Sequence, residues 1–191
     1  MRSPARNTPR KMATYEDLRK IPESQIGELI DGELYTSPRP SAKHAVATTR
    51  LISTIEGPFS SGKGGGPGGW WILVEPELHL DRNVYVPDLA GWKKGRMPEI
   101  PDVDHFEMVP DWICEVLSPS NARLDRTKKV PKYAEVGVNY LWLIDPIATT
   151  LEVFRLEKKR WVLFQTFSQD DKIRAEPFEA MEFNLSTLWG K

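Results

Sequence analysis

Apolar positions fall in short blocks bounded by Gly, Pro, Asn and Asp, a rhythm of many strands and few helices. Thr14 ahead of Glu16 and Asp17 predicts an N-cap and acidic first turn for a short helix ending before Pro22. In Glu28-Leu-Ile-Asp-Gly-Glu-Leu-Tyr35, Asp31-Gly32 between apolar pairs predicts a two-residue hairpin turn. Residues 43–56 place Val46, Leu51 and Ile55 at helical spacing and predict a helix. Trp70–Leu80 and Asn83–Trp92 read as an antiparallel pair turning at Asp81-Arg82, followed by a proline-rich loop from Met97 to Pro110. Trp112–Leu117 and Tyr140–Asp145 are nearly continuous apolar runs, the pattern of strands covered on both faces. Between them, 127–136 predicts a helix with Gly137 as C-terminal cap, and Leu151–Leu156 with Arg160–Phe167 predicts a closing hairpin. The fold class is therefore α/β or α+β around one mixed sheet.

Seven of the 13 glycines lie between Gly57 and Gly69, but Gly62-Lys63-Gly64 lacks the Gly-Lys-Ser/Thr of a phosphate loop, so this reads as a flexible connection. Composition narrows the class. The chain has 191 residues, 40% hydrophobic and 28% charged, with formal net charge −1, as expected of a soluble protein of one domain, residues 13–191. Residues 1–12 carry Arg2, Arg6, Arg10 and Lys11 without an acid and read as a flexible basic arm. Neither a membrane-spanning run nor the apolar core of a secretion signal is present, so a cytoplasmic protein without a membrane partner is expected. A single cysteine, Cys114, excludes a disulfide framework.

Two acids interrupt apolar strands: Asp88 within Val84-Tyr-Val-Pro-Asp-Leu-Ala90 and Glu115 within Ile113-Cys-Glu-Val-Leu117. A carboxylate in such a setting is costly unless paired or bound to a metal. Two of them on neighbouring strands make an oxygen-rich site suited to Mg²⁺ or Mn²⁺. Just downstream, Arg123, Arg126, Lys128, Lys129 and Lys132 face Asp125 alone, a cluster that would attract a polyanionic backbone. Metal, lysine and phosphate together point to phosphodiester hydrolysis. The alternative is two satisfied structural acids and a solvated helix face. His79 and His105 show no ligand spacing to each other or to Cys114, which alternates with Glu115 and should face a core.

Pro87-Asp88 followed by Glu115-Val116-Leu117 resembles the core of the PD-(D/E)XK nuclease superfamily, closest to its bacterial branch of restriction-endonuclease-like proteins, formerly a domain of unknown function. The ordered series that carries the resemblance is Glu28-Leu-Ile-Asp-Gly-Glu33, His44 opening a helix, Glu115-Val-Leu-Ser-Pro-Ser120, Asp125, Lys129, Tyr133, Gly137-Val138 and Tyr140-Leu-Trp-Leu-Ile-Asp-Pro146. It implies a restriction-endonuclease-like core, a central mixed β-sheet flanked by helices with added antiparallel hairpins. Asp88 and Glu115 would be metal ligands, joined by the carbonyl of Val116 or Leu117. The superfamily lysine belongs two residues after the glutamate, where Leu117 stands; Lys129 fits its migrated position, with Lys128 and Lys132 as rivals. Pro131 implies that this helix begins near Thr127, with proline in its first turn. Glu33 is preferred over Glu28 as the upstream acid, both being alternatively hairpin surface residues. His44 and Tyr133 are supporting candidates.

The resulting expectation is a metal-dependent endonuclease hydrolysing DNA phosphodiester bonds with Mg²⁺ (or Mn²⁺). Asp88, Glu115, Lys129 and Glu33 would be catalytic, Arg123, Arg126, Lys128 and Lys132 would contact DNA, and a homodimer is plausible from the edge hairpins. A non-catalytic nucleic-acid-binding or assembly module on the same fold is the rival. A glycosidase using Asp88 and Glu115 is disfavoured by the lysine cluster.

Overall fold

The computed structural model describes residues 12–190. The expected basic arm lies outside these residues except for Met12. In chain order the elements are α1 (Tyr15–Leu18), β1 (Gln25–Ile30), β2 (Glu33–Pro38), α2 (Ala42–Ser60), β3 (Trp70–Val74), β4 (Leu78–Leu80), β5 (Asn83–Tyr85), β6 (Leu89–Lys93) and β7 (Trp112–Val116). A helical run follows, comprising α3 (Ala122–Leu124), a π-helical turn (Asp125–Lys129) and α4 (Val130–Val136). Strands β8 (Tyr140–Asp145), β9 (Thr150–Glu157), β10 (Arg160–Ser168), β11 (Lys172–Ile173) and β12 (Phe183–Asn184) complete the order, with a 3₁₀ turn at Leu185–Trp189.

Six strands form the central mixed sheet in the order β10-β9-β8-β7-β6-β3, and four form a smaller sheet, β2-β1-β5-β4. Only β7 and β8 run parallel within the central sheet, and the helical run that ends in α4 makes the crossover between them. Alternation along β7 assigns the two faces. Trp112, Cys114 and Val116 join Leu51, Ile55 and Phe59 of α2 and Leu185 and Leu188 of the C-terminal turn in one core. Ile113 and Leu117 join Tyr133 of α4 with Ile30, Leu80 and Tyr85 of the small sheet in the other. Glu115 thus points toward α4 and the small sheet. Cys114 points the opposite way and is fully buried, as its alternation with Glu115 predicts.

Several elements differ from the sequence expectation. The long strands 70–80 and 83–92 are each broken into two, one half per sheet. Glu75 at φ 47° and the prolines that follow Glu75 and Val86 explain the breaks, since proline cannot donate to a ladder. Helix α2 begins on the Ser41 cap but continues to Ser60, beyond the expected end at 56 and past Gly57. The helical run starts at Ala122, not near Thr127. Pro131 is accommodated because the turn before it is π-helical, with the Val130 N–H reaching the Asp125 carbonyl. Gly137 caps α4 at φ 94°, a conformation that costs glycine little. The Asp31-Gly32 turn, at φ 52° and 74°, and the Thr14 N-cap are as predicted, and the Asp17 side chain returns to the Thr14 N–H to complete a capping box. Among the described residues no helix is long and apolar enough to cross a membrane.

Candidate active site

Four carboxylates converge where the two sheets meet the helical run. Leu89 pairs with Cys114 in the β6–β7 ladder, so Asp88 stands beside Glu115 at the end of that ladder. Its Oδ2 accepts from the Val116 N–H at 2.6 Å, and its Oδ1 lies 3.0 Å from His44 Nε2 at the start of α2. Glu115 Oε1 accepts from the Tyr133 hydroxyl at 2.7 Å and lies 2.9 Å from Lys129 Nζ. The same ammonium is 2.9 Å from Glu28 Oε1 and 3.6 Å from Asp125 Oδ1, and it donates to the Val86 carbonyl at 3.4 Å. Glu28 Oε1 also accepts from the Val86 N–H at 2.9 Å. The π-helical turn carries both Asp125 and Lys129 into the interior; such turns often mark functional positions.

The cluster is deeply buried. Glu115 is 1% exposed, Lys129 3%, Glu28 4%, and Asp88, at 8%, is the most open of the four carboxylates. Burial pushes the Glu115 carboxyl well above the usual carboxylate range; Lys129 opposes this, while Asp125, Asp88 and Glu28 add to it. Burial likewise raises Asp125 to about 6, against the pull of Lys129. Burial alone would lower Lys129, but Glu115, Glu28, Tyr133 and Asp125 outweigh it and keep the ammonium charged. His44 is raised in the same manner, Asp88 overcoming the effect of burial.

Four acids against one lysine and one histidine leave an excess of hard oxygen donors, and the buried Asp125 Oδ2 has no hydrogen-bond partner. The donor set therefore fits Mg²⁺ or Mn²⁺ in charge and chemistry. The space between Glu28 and Glu115, however, is taken by the lysine ammonium. Among the described residues, three donors already within 4.8 Å of one another occur elsewhere, at Glu77, His79 and His105.

The expected site residues divide clearly. Asp88, Glu115, Lys129, Tyr133, His44 and Glu28 are brought together. Glu28, and not Glu33, lies in the cluster: Ile30 pairs with Glu33 and Glu28 with Tyr35, so both acids share a face, but β2 is the outer strand. Glu33 is exposed there and accepts from the Tyr35 hydroxyl at 2.7 Å. Arg123, Arg126, Lys128 and Lys132 stay outside the buried cluster. Arg126 pairs with Glu152, and Lys132 with Asp31 and Glu135, all at 2.9 Å. Asp125 is the member that sequence reasoning did not assign. Its spacing of four from Lys129 on a helix was the available signal.

The sequence profile of Uma2, the putative restriction endonuclease family, matches residues 12–187. The chain belongs to this family. A crystal structure from Anabaena variabilis, described as a putative nuclease belonging to DUF820, superposes with a TM-score of 0.73 at 23% identity, covering 93% of this chain and 97% of that one. This likeness establishes the fold, a mixed α/β architecture with a six-stranded mixed sheet and smaller antiparallel sheets. No match was found among curated proteins.

Proposed function

We propose that this Uma2 member is a metal-dependent endonuclease that hydrolyses DNA phosphodiester bonds, with residues 13–191 acting as one domain. The observation that supports the reading is the placement of Lys129, held by Glu28 and Glu115 beside Asp88 at the end of the β6–β7 ladder. Asp88 and Glu115 would hold Mg²⁺ (or Mn²⁺), with Glu28 and Asp125 as additional oxygen donors. The ion, when bound, lowers the pKa of a water and offsets charge on the phosphate.

The chain's own residues do the rest. The Val116 N–H and His44 fix the Asp88 carboxylate, and the Tyr133 hydroxyl fixes Glu115. Lys129 stays charged in its acidic surroundings and serves as the cation that stabilises the developing negative charge on phosphate oxygen. Glu28, rather than the exposed Glu33, takes the upstream-acid role. Arg123 and Lys128, with Arg126 and Lys132 released from their surface pairs, supply backbone contacts to DNA. A homodimer in the cytoplasm is the setting we assign to this activity.

A second reading is favoured by one observation: the ammonium, not open space, lies between Glu28 and Glu115, and the cluster is almost wholly buried. On that reading the chain is a non-catalytic nucleic-acid-binding module. Plasmid nicking separates the two. Mg²⁺-dependent nicking that is lost in Asp88→Ala and Glu115→Ala supports catalysis; salt-sensitive DNA binding without turnover supports the module.

A further inference from the structure

On the far side of β4 the chain assembles a second group of ligating side chains. Leu78 forms a parallel bridge with Phe106 of the proline-rich loop. The Phe106 N–H donates to the Glu77 carbonyl and the His79 N–H to the Phe106 carbonyl, both at 2.9 Å. Leu78 is fully buried, and both it and Phe106 pack into the core shared with α4. Alternation therefore turns Glu77, His79 and His105 together onto the opposite side.

There, His79 Nε2 lies 2.6 Å from Glu77 Oε1, and the His79 and His105 rings stack with centroids 3.8 Å apart at 20°. One donor atom from each of the three residues lies within 4.8 Å of the others, and all three residues are half-buried. A second layer surrounds them. The Tyr15 hydroxyl donates to Glu77 Oε1 at 2.7 Å, and the Tyr15 ring meets His79 edge-on at 4.7 Å. Such a partner orients a ligating carboxylate. The loop that presents His105 is itself anchored, with the Trp71 and Trp92 indoles donating to the Met97 and Met108 carbonyls at 2.9 Å.

We propose that Glu77, His79 and His105 bind one borderline divalent transition-metal ion, of which Zn²⁺ is the representative. Two imidazoles and one carboxylate are a donor set that Zn²⁺ accepts with a fourth position left for water, whereas Mg²⁺ avoids imidazole. The ion fastens the Met97–Pro110 loop to β4 and, through Tyr15, to α1. A small splaying of the two stacked rings brings their nitrogens to bear, a motion the broad terminal torsion of histidine allows. The site shares no residue with the buried carboxylate cluster, so it stands or falls apart from the nuclease reading.

The test is titration of the chelator-stripped full chain with Zn²⁺ in excess Mg²⁺, by calorimetry and elemental analysis. One Zn²⁺ per chain is expected, lost in His79→Gln/His105→Gln and weakened at least about tenfold in Tyr15→Phe. Co²⁺ bound to the wild-type chain should also give ligand-field absorption, a readout that needs no variant to fold. Absence of Zn²⁺ binding and of Co²⁺ absorption by the wild type, or binding unchanged in the double variant, would overturn the proposal.

Discussion

Lys129 Nζ and Glu115 Oε1 lie 2.9 Å apart, joining a π-helical turn to the middle of the central sheet. The pair is out of contact with water, so its members depend on each other. Removing one partner leaves the other's charge uncompensated.

Lys129→Met should therefore destabilise the metal-free protein at neutral pH by about 3 kcal/mol or more, measured by urea unfolding. Adding Glu115→Gln to Lys129→Met should restore part of that loss. A double variant as unstable as the sum of the single ones would show that the two side chains are not coupled.

Asp125 links the cluster to pH. Its folded-state pKa is raised to about 6 from 3.8, so between those values the folded protein binds more protons than the unfolded chain. The contribution of this group is therefore most favourable in acid and declines as pH rises from about 4 to 6. Asp125→Asn should be more stable than the wild type at pH 7, by about 1–3 kcal/mol, and the advantage should vanish toward pH 4. An advantage that does not vary with pH would contradict this assignment.

His44 reports on Asp88. Asp88 raises His44 against the opposing effect of burial, so Asp88→Asn in the metal-free protein should move the histidine titration, followed by NMR, to lower pH. An unchanged titration would mean that the contact does not hold in solution.

Tyr133→Phe removes the hydroxyl that donates to Glu115 at 2.7 Å. We expect a stability loss of about 1–3 kcal/mol by urea unfolding, with the fold intact. A loss within error of zero would place the hydroxyl outside the network.

Much of this was legible in the sequence, for identifiable reasons. Asp88 and Glu115 stood out because a charge inside an apolar strand demands an explanation, and the structure sets them side by side. The strands themselves were legible from their apolar runs, but the sheet each joins was not. Backbone breaks at Glu75 and before Pro87 divert β4 and β5 to the smaller sheet, a change of direction that hydrophobic patterning does not encode. Glu28 and Glu33 were indistinguishable by pattern because they share a face; only the packing of β1 against β5 separates them. Spacing in the sequence does not reveal the pairing of His79 with His105, since their proximity arises from a long-range bridge, Leu78 to Phe106. The π-helical turn is not legible because Pro131 implies a helix beginning near Thr127, whereas the proline sits deeper in a run that starts at Ala122.

The most direct measurement of the central claim is the anomalous density of crystals soaked in Mn²⁺. The account predicts one ion touching both Asp88 and Glu115, with the Lys129 ammonium drawn back from Glu115. Density confined to Glu77, His79 and His105, with the Lys129–Glu115 pair intact, would contradict it.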